Sequence, residues 1–158
     1  MQWAQIIEDP ILQNLPYKIE LNEWGNIVLS PASNKHGLLQ AELVGFLRDN
    51  KAQGKIITEC SVQTTKGVRV ADVAWGSADF FMRNELETPY QEAPELCIEI
   101  SSLSNSKREL TEKIDLYLAK GAREVWICDD NGNLQLFTHR GQIETSLLFP
   151  TVPTQLYC

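Results

Sequence analysis

Residues 94–129 read PELCIEISSLSNSKRELTEKIDLYLAKGAREVWICD, and this stretch decides the fold. Its apolar run over residues 96–101 is typical of a buried strand. Ser106 and Glu109 then form a capping-box pattern that predicts the start of a helix, and Gly121 predicts its end. The letters VWIC that follow predict a second buried strand. The stretch therefore predicts a strand, a helix and a strand in succession.

Further strands and helices are predicted on both sides of this stretch. Residues 55–63 and 68–75 are β-rich, and the turn TTKG between them predicts a hairpin. Residues 77–93 are acidic and predict an irregular surface stretch. The sequence also predicts a short helix over residues 3–15 and two strands over residues 17–21 and 26–29. A long helix is predicted from Ser33 to about Ala52, and a last strand over residues 134–138. The pattern predicts an α/β (mixed α+β) fold, a central mixed β-sheet flanked by helices, in one domain over residues 1–158.

The composition excludes several classes of protein. The chain has 158 residues, 43% of them hydrophobic, and a net charge of -7 at pH 7, which suits one folded domain rather than a disordered chain. No apolar run reaches the ~18 residues that a membrane-spanning helix needs. Glu8 and Asp9 lie where a signal peptide needs an apolar run. We therefore predict a soluble cytoplasmic protein without membrane contact.

Two acids lie in segments that are otherwise built for burial, Asp72 in VRVADVAW and Glu99 in LCIEIS. A buried carboxylate is costly unless it is paired, hydrogen-bonded or bound to a cation. For either acid alone, an arginine partner or backbone amides explain it equally well, but two on neighbouring strands favour a metal site. Because the chain has two histidines and no C-x-x-C spacing, carboxylates would hold the metal, and this favours Mg²⁺.

The register of the central hairpin predicts a third acid near these two. If Gln63 pairs with Val68 across the turn, Glu59 lies opposite Asp72 on the same face. Glu59 then either joins the site or strains it. A slip of one residue would remove this prediction, because it moves every side chain to the other face.

The two long helices also bring polar residues toward the acids. The strand covers about 10 Å from Glu99 to its end, and the second helix covers about 10 Å from its start to Lys113. If the helix folds back on the strand, Lys113 therefore lies level with Glu99. The alternative is that Lys113 is an ordinary surface partner of Glu109, four residues earlier. His36 begins the first long helix, one turn before Gln40, and a structural hydrogen-bonding role for His36 stands beside a catalytic one.

An acid in a hairpin strand, an acid in the next strand and a lysine after it resemble the PD-(D/E)XK nuclease superfamily. The chain is more similar still to its Uma-type (Uma-two) branch of restriction endonucleases, which occurs in many bacterial genomes. The similarity is carried by ELNEWGNIVLSPASNKHG (residues 20–37), ITECSVQTTKGVRVADVAW (residues 57–75) and the stretch quoted above. It implies a restriction-endonuclease-like core over nearly the whole chain.

The resemblance also implies roles for individual residues. Asp72 matches the metal-binding aspartate, although Ala71 replaces the usual proline, and Glu99 matches the acid of the (D/E)XK element. Ser101 stands where that element has its lysine, and the basic residue moves to Lys113 on the next helix. Asp72, Glu99 and Lys113 would be catalytic, with the two acids binding Mg²⁺, for which Mn²⁺ can substitute.

The function implied is metal-dependent hydrolysis of DNA phosphodiester bonds. Tyr117 and His36 would line the pocket as hydrogen-bonding groups, with Glu59 and Gln40 as further supporting residues. The net charge of -7 argues against strong nonspecific affinity, so DNA binding is expected to be weak or partner-assisted. A homodimer is expected, because two subunits supply the two sites needed to cut the two strands of DNA. The alternatives are a binding or structural protein that keeps the nuclease fold without cleaving, and a small-molecule enzyme that uses a carboxylate–lysine pair.

Overall fold

The computed structural model describes residues 2–51, 53–102 and 105–156. The helices in these ranges are α1 (Trp3–Glu8), α2 (Pro10–Gln13), α3 (Asn34–Asn50), α4 (Ala78–Asn84) and α5 (Lys107–Ala119). The strands are β1 (Tyr17–Leu21), β2 (Ile27–Pro31), β3 (Lys55–Thr64), β4 (Gly67–Gly76), β5 (Leu96–Ile100), β6 (Glu124–Cys128), β7 (Leu134–Thr138) and β8 (Gly141–Ile143). Across the described ranges, no helix is both long and apolar enough to pass through a lipid bilayer.

The central sheet contains six strands in the spatial order β3-β4-β5-β6-β7-β8. Strands β5 and β6 are parallel, and the other neighbours are antiparallel. Helix α5 connects the parallel pair, as expected because parallel strands need a long crossover. The predicted mixed sheet with flanking helices is therefore confirmed, and so is the hairpin register that pairs Gln63 with Val68.

Helices α3 and α5 cover opposite faces of this sheet. Leu39, Leu43 and Leu47 of α3 belong to the same buried cluster as Ile98 of β5. On the other face, α5 packs against a second cluster that includes the neighbouring Cys97. Side chains alternate along a strand, so Glu99, which follows Ile98, points to the face that α5 covers.

Strands β1 and β2 form a separate antiparallel pair that packs on the beginning of β4. Leu21 lies in one buried cluster with Val68 and Val70. Gly67 allows this close approach, because its φ is +90° and a Cβ there would collide with the carbonyl oxygen of Leu21. The packing holds β1 beside β4, the strand that carries Asp72.

Two local predictions were wrong. The single helix expected over residues 3–15 is divided at Asp9, which caps α2, and at Pro10, which lacks the N–H that a continuous helix needs. The stretch 77–93, expected to be irregular, contains helix α4. Phe80 anchors that helix with a side chain only 1% exposed, and the surrounding acids concealed this buried contact in the sequence.

Candidate active site

The candidate site lies where strands β4 and β5 separate. Their ladder ends at the pair Val73 and Ile98, and one step further would place Asp72 opposite Glu99. There, Oδ2 of Asp72 accepts the Ile100 N–H at 2.7 Å in place of a main-chain partner. Asp72 is 1% exposed and Glu99 is 3% exposed. Two buried carboxylates therefore converge at the point where the sheet opens, as expected for two acids in apolar segments of neighbouring strands.

Two lysines join the carboxylates of the site. Lys18 Nζ, from β1, lies 3.1 Å from Asp72 Oδ1 and 3.1 Å from Glu99 Oε2. Lys113 Nζ, from α5, lies 3.3 Å from the same Glu99 oxygen and 3.0 Å from the carboxylate of Glu20. Glu20, Lys113, Glu99, Lys18 and Asp72 thus form a chain of alternating charge, which we call the ion chain.

The sequence pattern does not identify Lys18 and Glu20 as site residues. They flank Ile19 in the strand YKIEL, so their side chains share one face. Two charged residues at this spacing are typical of a solvated strand face, and only the packing of β1 on β4 turns that face toward the acids. Glu20 is 3% exposed, and its Oε2 accepts the Val70 N–H at 2.7 Å. The one available signal was that Glu20 begins the first segment resembling the nuclease family.

Helix α5 brings two predicted residues to Glu99. Lys113 contacts it as the length argument predicted, whereas Glu109 instead completes the capping box with Ser106. Tyr117, one turn after Lys113, donates its hydroxyl to Glu99 Oε1 at 2.7 Å. Burial, together with the Glu99 charge, raises the pKa of Tyr117 well above its usual value, so the hydroxyl remains a donor.

Helix α3 and strand β3 contact the site on the side of Asp72. His36 Nε2 lies 3.2 Å from Asp72 Oδ1, and this hydrogen bond raises the pKa of His36. The Gln40 amide donates to the main-chain oxygen of Asp72 at 2.8 Å and to Glu59 Oε1 at 2.9 Å. Glu59 has a φ of +53°, which takes it out of the ladder although its neighbours keep the predicted register. Through Gln40, it therefore contacts the site from outside the ion chain.

Two members of the ion chain, Asp72 and Lys18, are charged at neutral pH. Burial alone would raise the pKa of Asp72, but Lys18 and the hydrogen bonds that the carboxylate accepts hold it far below its usual value. Burial alone would lower the pKa of Lys18, yet the surrounding carboxylates, Glu99 first, raise it well above its usual value. Burial is the largest influence on Glu99 itself and raises its pKa, although Lys113 and Lys18 oppose that effect.

The donor chemistry of the site fits a hard divalent cation held by two carboxylates. Among the described residues, no cluster of three or more His, Cys, Asp or Glu forms a ready-made set of metal ligands. Proteins commonly offer Mg²⁺ only one or two carboxylates, and water and substrate phosphates complete its coordination. Asp72 Oδ1 and Glu99 Oε2 already face one cation, the ammonium of Lys18. A metal ion at these oxygens would have to replace that ammonium.

Comparisons with known proteins bear on the family and the fold of the chain. The family model described as "Uma2: Putative restriction endonuclease" matches residues 5–154. Among solved structures, the chain is similar to a putative nuclease belonging to DUF820 from Anabaena variabilis, with a TM-score of 0.72 and 18% sequence identity. The likeness covers 87% of this chain and 86% of that chain, and at this identity it establishes the fold. None of the curated proteins matches the sequence.

Proposed function

Since the chain belongs to the Uma2 family of putative restriction endonucleases, we propose that it is a Mg²⁺-dependent DNA endonuclease whose site is formed by Asp72, Glu99 and Lys113. Family membership itself makes the chain a nuclease-like enzyme. The proposal adds the substrate, the metal and the residues, and it treats residues 1–158 as one domain.

The observation that carries the proposal is the different environment of the two oxygens in each acid. Asp72 Oδ2 and Glu99 Oε1 accept from fixed donors of the protein, the Ile100 N–H and the Tyr117 hydroxyl. Asp72 Oδ1 and Glu99 Oε2 both face the Lys18 ammonium. His36 Nε2 also lies 3.2 Å from Asp72 Oδ1, and Lys113 Nζ lies 3.3 Å from Glu99 Oε2. Each acid is thus anchored through one oxygen and presents the other to a shared positive charge, which is the arrangement that a metal-binding pair needs.

Each neighbouring group has a defined task in this proposal. Asp72 and Glu99 would hold Mg²⁺, which when bound polarises a phosphate and lowers the pKa of a coordinated water. Lys113, whose side chain is 16% exposed, would stabilise the charge that develops on phosphate oxygens. Tyr117 orients Glu99, and His36 orients Asp72, each through the hydrogen bond described above.

Gln40 and Glu59 are positioning residues in this scheme. The Gln40 amide holds the main chain of Asp72, and Glu59 holds the same amide from the other side. A non-glycine residue with a positive φ costs conformational energy, which the contact with Gln40 helps to offset. Their role is therefore to fix the strand on which the metal-binding aspartate lies.

DNA is the proposed substrate, bound weakly or with the help of a partner. The net charge of -7 opposes phosphate binding, and two basic residues on β4 and its turn are already engaged, since Lys66 and Arg69 both lie within 4 Å of Glu112. A homodimer in the bacterial cytoplasm would supply two sites for two strands. This assembly is part of the proposal.

One observation favours the alternative of a non-cleaving protein that keeps the nuclease fold. The ion chain already neutralises Asp72 and Glu99 with protein groups alone, through Lys18 and Lys113. Such a network can stabilise a fold without any metal, and removal of one partner from a buried pair is strongly destabilising. The proposed endonuclease needs a divalent metal ion for its activity, whereas the non-cleaving protein does not need one.

A plasmid-nicking assay with Mg²⁺ or Mn²⁺ tests the proposal. We expect nicking that requires the metal and that falls by at least about 100-fold in both Asp72→Asn and Glu99→Gln. Glu87→Gln, which changes an exposed acid in the same way, should keep full activity. Equal activity in the wild-type protein and both acid variants would identify a contaminating nuclease and would favour the non-cleaving alternative.

A further inference from the structure

We propose that Lys18 is a placeholder cation: its ammonium holds Asp72 and Glu99 together in the metal-free protein and must leave before a divalent cation can bind, so that Lys18 sets the metal affinity of the site. This inference rests on the proposed function, because it assumes that the two acids are metal ligands. It assigns a role to Lys18, which contacts both acids and lies just before the first segment quoted for the resemblance.

The position of the ammonium supports this role. Lys18 Nζ lies 3.1 Å from both Asp72 Oδ1 and Glu99 Oε2. The other oxygen of each acid is occupied by a donor that cannot move away easily, a strand N–H of Ile100 and the hydroxyl of the buried Tyr117. The oxygens that a metal ion could use are therefore Asp72 Oδ1 and Glu99 Oε2. His36 contacts the first alone and Lys113 the second alone, whereas Lys18 bridges both, so Lys18 and the metal ion compete for one place.

The charge balance of the site leads to the same conclusion. Glu20, Asp72 and Glu99 contribute three negative charges, and Lys18 and Lys113 contribute two positive charges, which leaves an excess of one negative charge when His36 is neutral. A divalent cation added beside Lys18 would produce an excess of one positive charge in a buried site. Exchange of Lys18 for the metal ion leaves the site neutral, which is the less costly arrangement where water is excluded.

Lys18 also has a way out of the site. Its side chain is 11% exposed, whereas the Asp72 side chain is 1% exposed, so part of the lysine reaches solvent. Lys18 lies on the separate β1–β2 pair and not in the six-stranded sheet. A change in its side-chain rotamer therefore breaks the two ion pairs and leaves the main-chain ladders intact. The long flexible stem of a lysine permits such a movement, because the ammonium can extend to water.

Calorimetric titration with Mn²⁺ tests the inference on the wild-type protein and on Lys18→Met, which keeps the apolar stem but lacks the charge. We expect Lys18→Met to bind Mn²⁺ at least about tenfold more tightly, because no ammonium has to be displaced. The matched control is Lys66→Met, since Lys66 pairs with Glu112 and not with Asp72 or Glu99. Its Mn²⁺ affinity should equal that of the wild-type protein.

The outcomes separate this inference from the proposed function. If the wild-type protein binds Mn²⁺ and Lys18→Met binds it equally or more weakly, the placeholder role is wrong, and the metal site still stands. If neither protein binds Mn²⁺ while both remain folded, the metal site and the placeholder role fail together. If Lys18→Met binds Mn²⁺ more tightly than the wild-type protein does, both the metal site and the placeholder role are supported.

A measurement on the wild-type protein avoids any folding defect of the variant. The ammonium protons of a buried, paired lysine exchange slowly with water, and we expect NMR to detect those of Lys18 in the presence of a chelator. Saturating Mg²⁺ should remove this signal, because the released ammonium becomes solvated. If the Lys18 signal persists at saturating Mg²⁺, the metal ion and the ammonium occupy the site together, and the inference is overturned.

Discussion

Two buried acid sites on adjacent strands of this protein are satisfied in opposite ways. Glu124, at the beginning of β6, is 1% exposed, and four neutral donors occupy its oxygens: the Trp126 indole N–H, the Ser146 hydroxyl and the N–H groups of Leu147 and Leu148. Asp72 and Glu99 are also buried, but they share the ammonium of Lys18.

The difference separates a structural acid from a candidate ligand. At Glu124, each oxygen already accepts two hydrogen bonds from donors of the protein, none of which carries a charge. At the Asp72–Glu99 pair, one oxygen of each acid faces a flexible lysine that is partly open to solvent. Burial of a carboxylate is therefore weak evidence for a metal site, and exchangeable positive charge beside it is stronger evidence.

The largest effect on stability is expected at the structural acid. Glu124→Ala would leave two main-chain N–H groups, an indole and a hydroxyl without their acceptor in a buried region. We expect a loss of about 3–5 kcal/mol in the free energy of unfolding, measured with urea, because buried donors without partners are costly. Glu87→Ala, at an exposed position, should change it little. A loss below about 1 kcal/mol for Glu124→Ala would show that water reaches this site and would remove the contrast.

A smaller effect on stability is expected when a metal ion binds at the Asp72–Glu99 pair. Mn²⁺ at about 100 times its dissociation constant should stabilise the wild-type protein by about 2.7 kcal/mol, because it binds only the folded state. Thermal unfolding should show this stabilisation in the wild-type protein and in Glu87→Gln, but not in Asp72→Asn. Stabilisation of Asp72→Asn to the same extent would place the metal ion elsewhere on the protein.

The smallest effect concerns Glu20, the outer acid of the ion chain. Burial alone would raise its pKa, but Lys18 and Lys113 lower it below the ordinary value of 4.5. Ionised Glu20 therefore stabilises the fold above about pH 4.5, and this contribution is lost as the pH falls through the lowered pKa.

Urea unfolding of the wild-type protein and Glu20→Gln measures this contribution. We expect Glu20→Gln to be less stable by about 1–2 kcal/mol at neutral pH, with a difference that narrows steadily below about pH 4.5. Glu87→Gln should have almost the same free energy of unfolding as the wild-type protein, both at neutral pH and in the acidic range. A constant difference between the wild-type protein and Glu20→Gln across this range would mean that Glu20 acts through packing and not through its charge.

The fold and half of the site were predictable because their signals are local. The capping box at Ser106 and the apolar strands around it define the strand–helix–strand unit, and the hairpin register follows from its turn. Lys113 was predictable because helix rise and strand rise convert sequence distance into length. Lys18 had no such signal, since a lysine in a short strand is compatible with full exposure.

The sequence by itself determined the alternation of helices and strands, the family, and the presence of two acids in segments meant for burial. Only the tertiary structure decided which charges those acids meet. The reason is physical: periodicity and capping act between residues that are close along the chain, whereas Lys18 meets Asp72 and Glu99 through the packing of β1 on β4, across 54 and 81 residues. Burial there makes each pairing strong, and no local pattern records which strand will supply the partner.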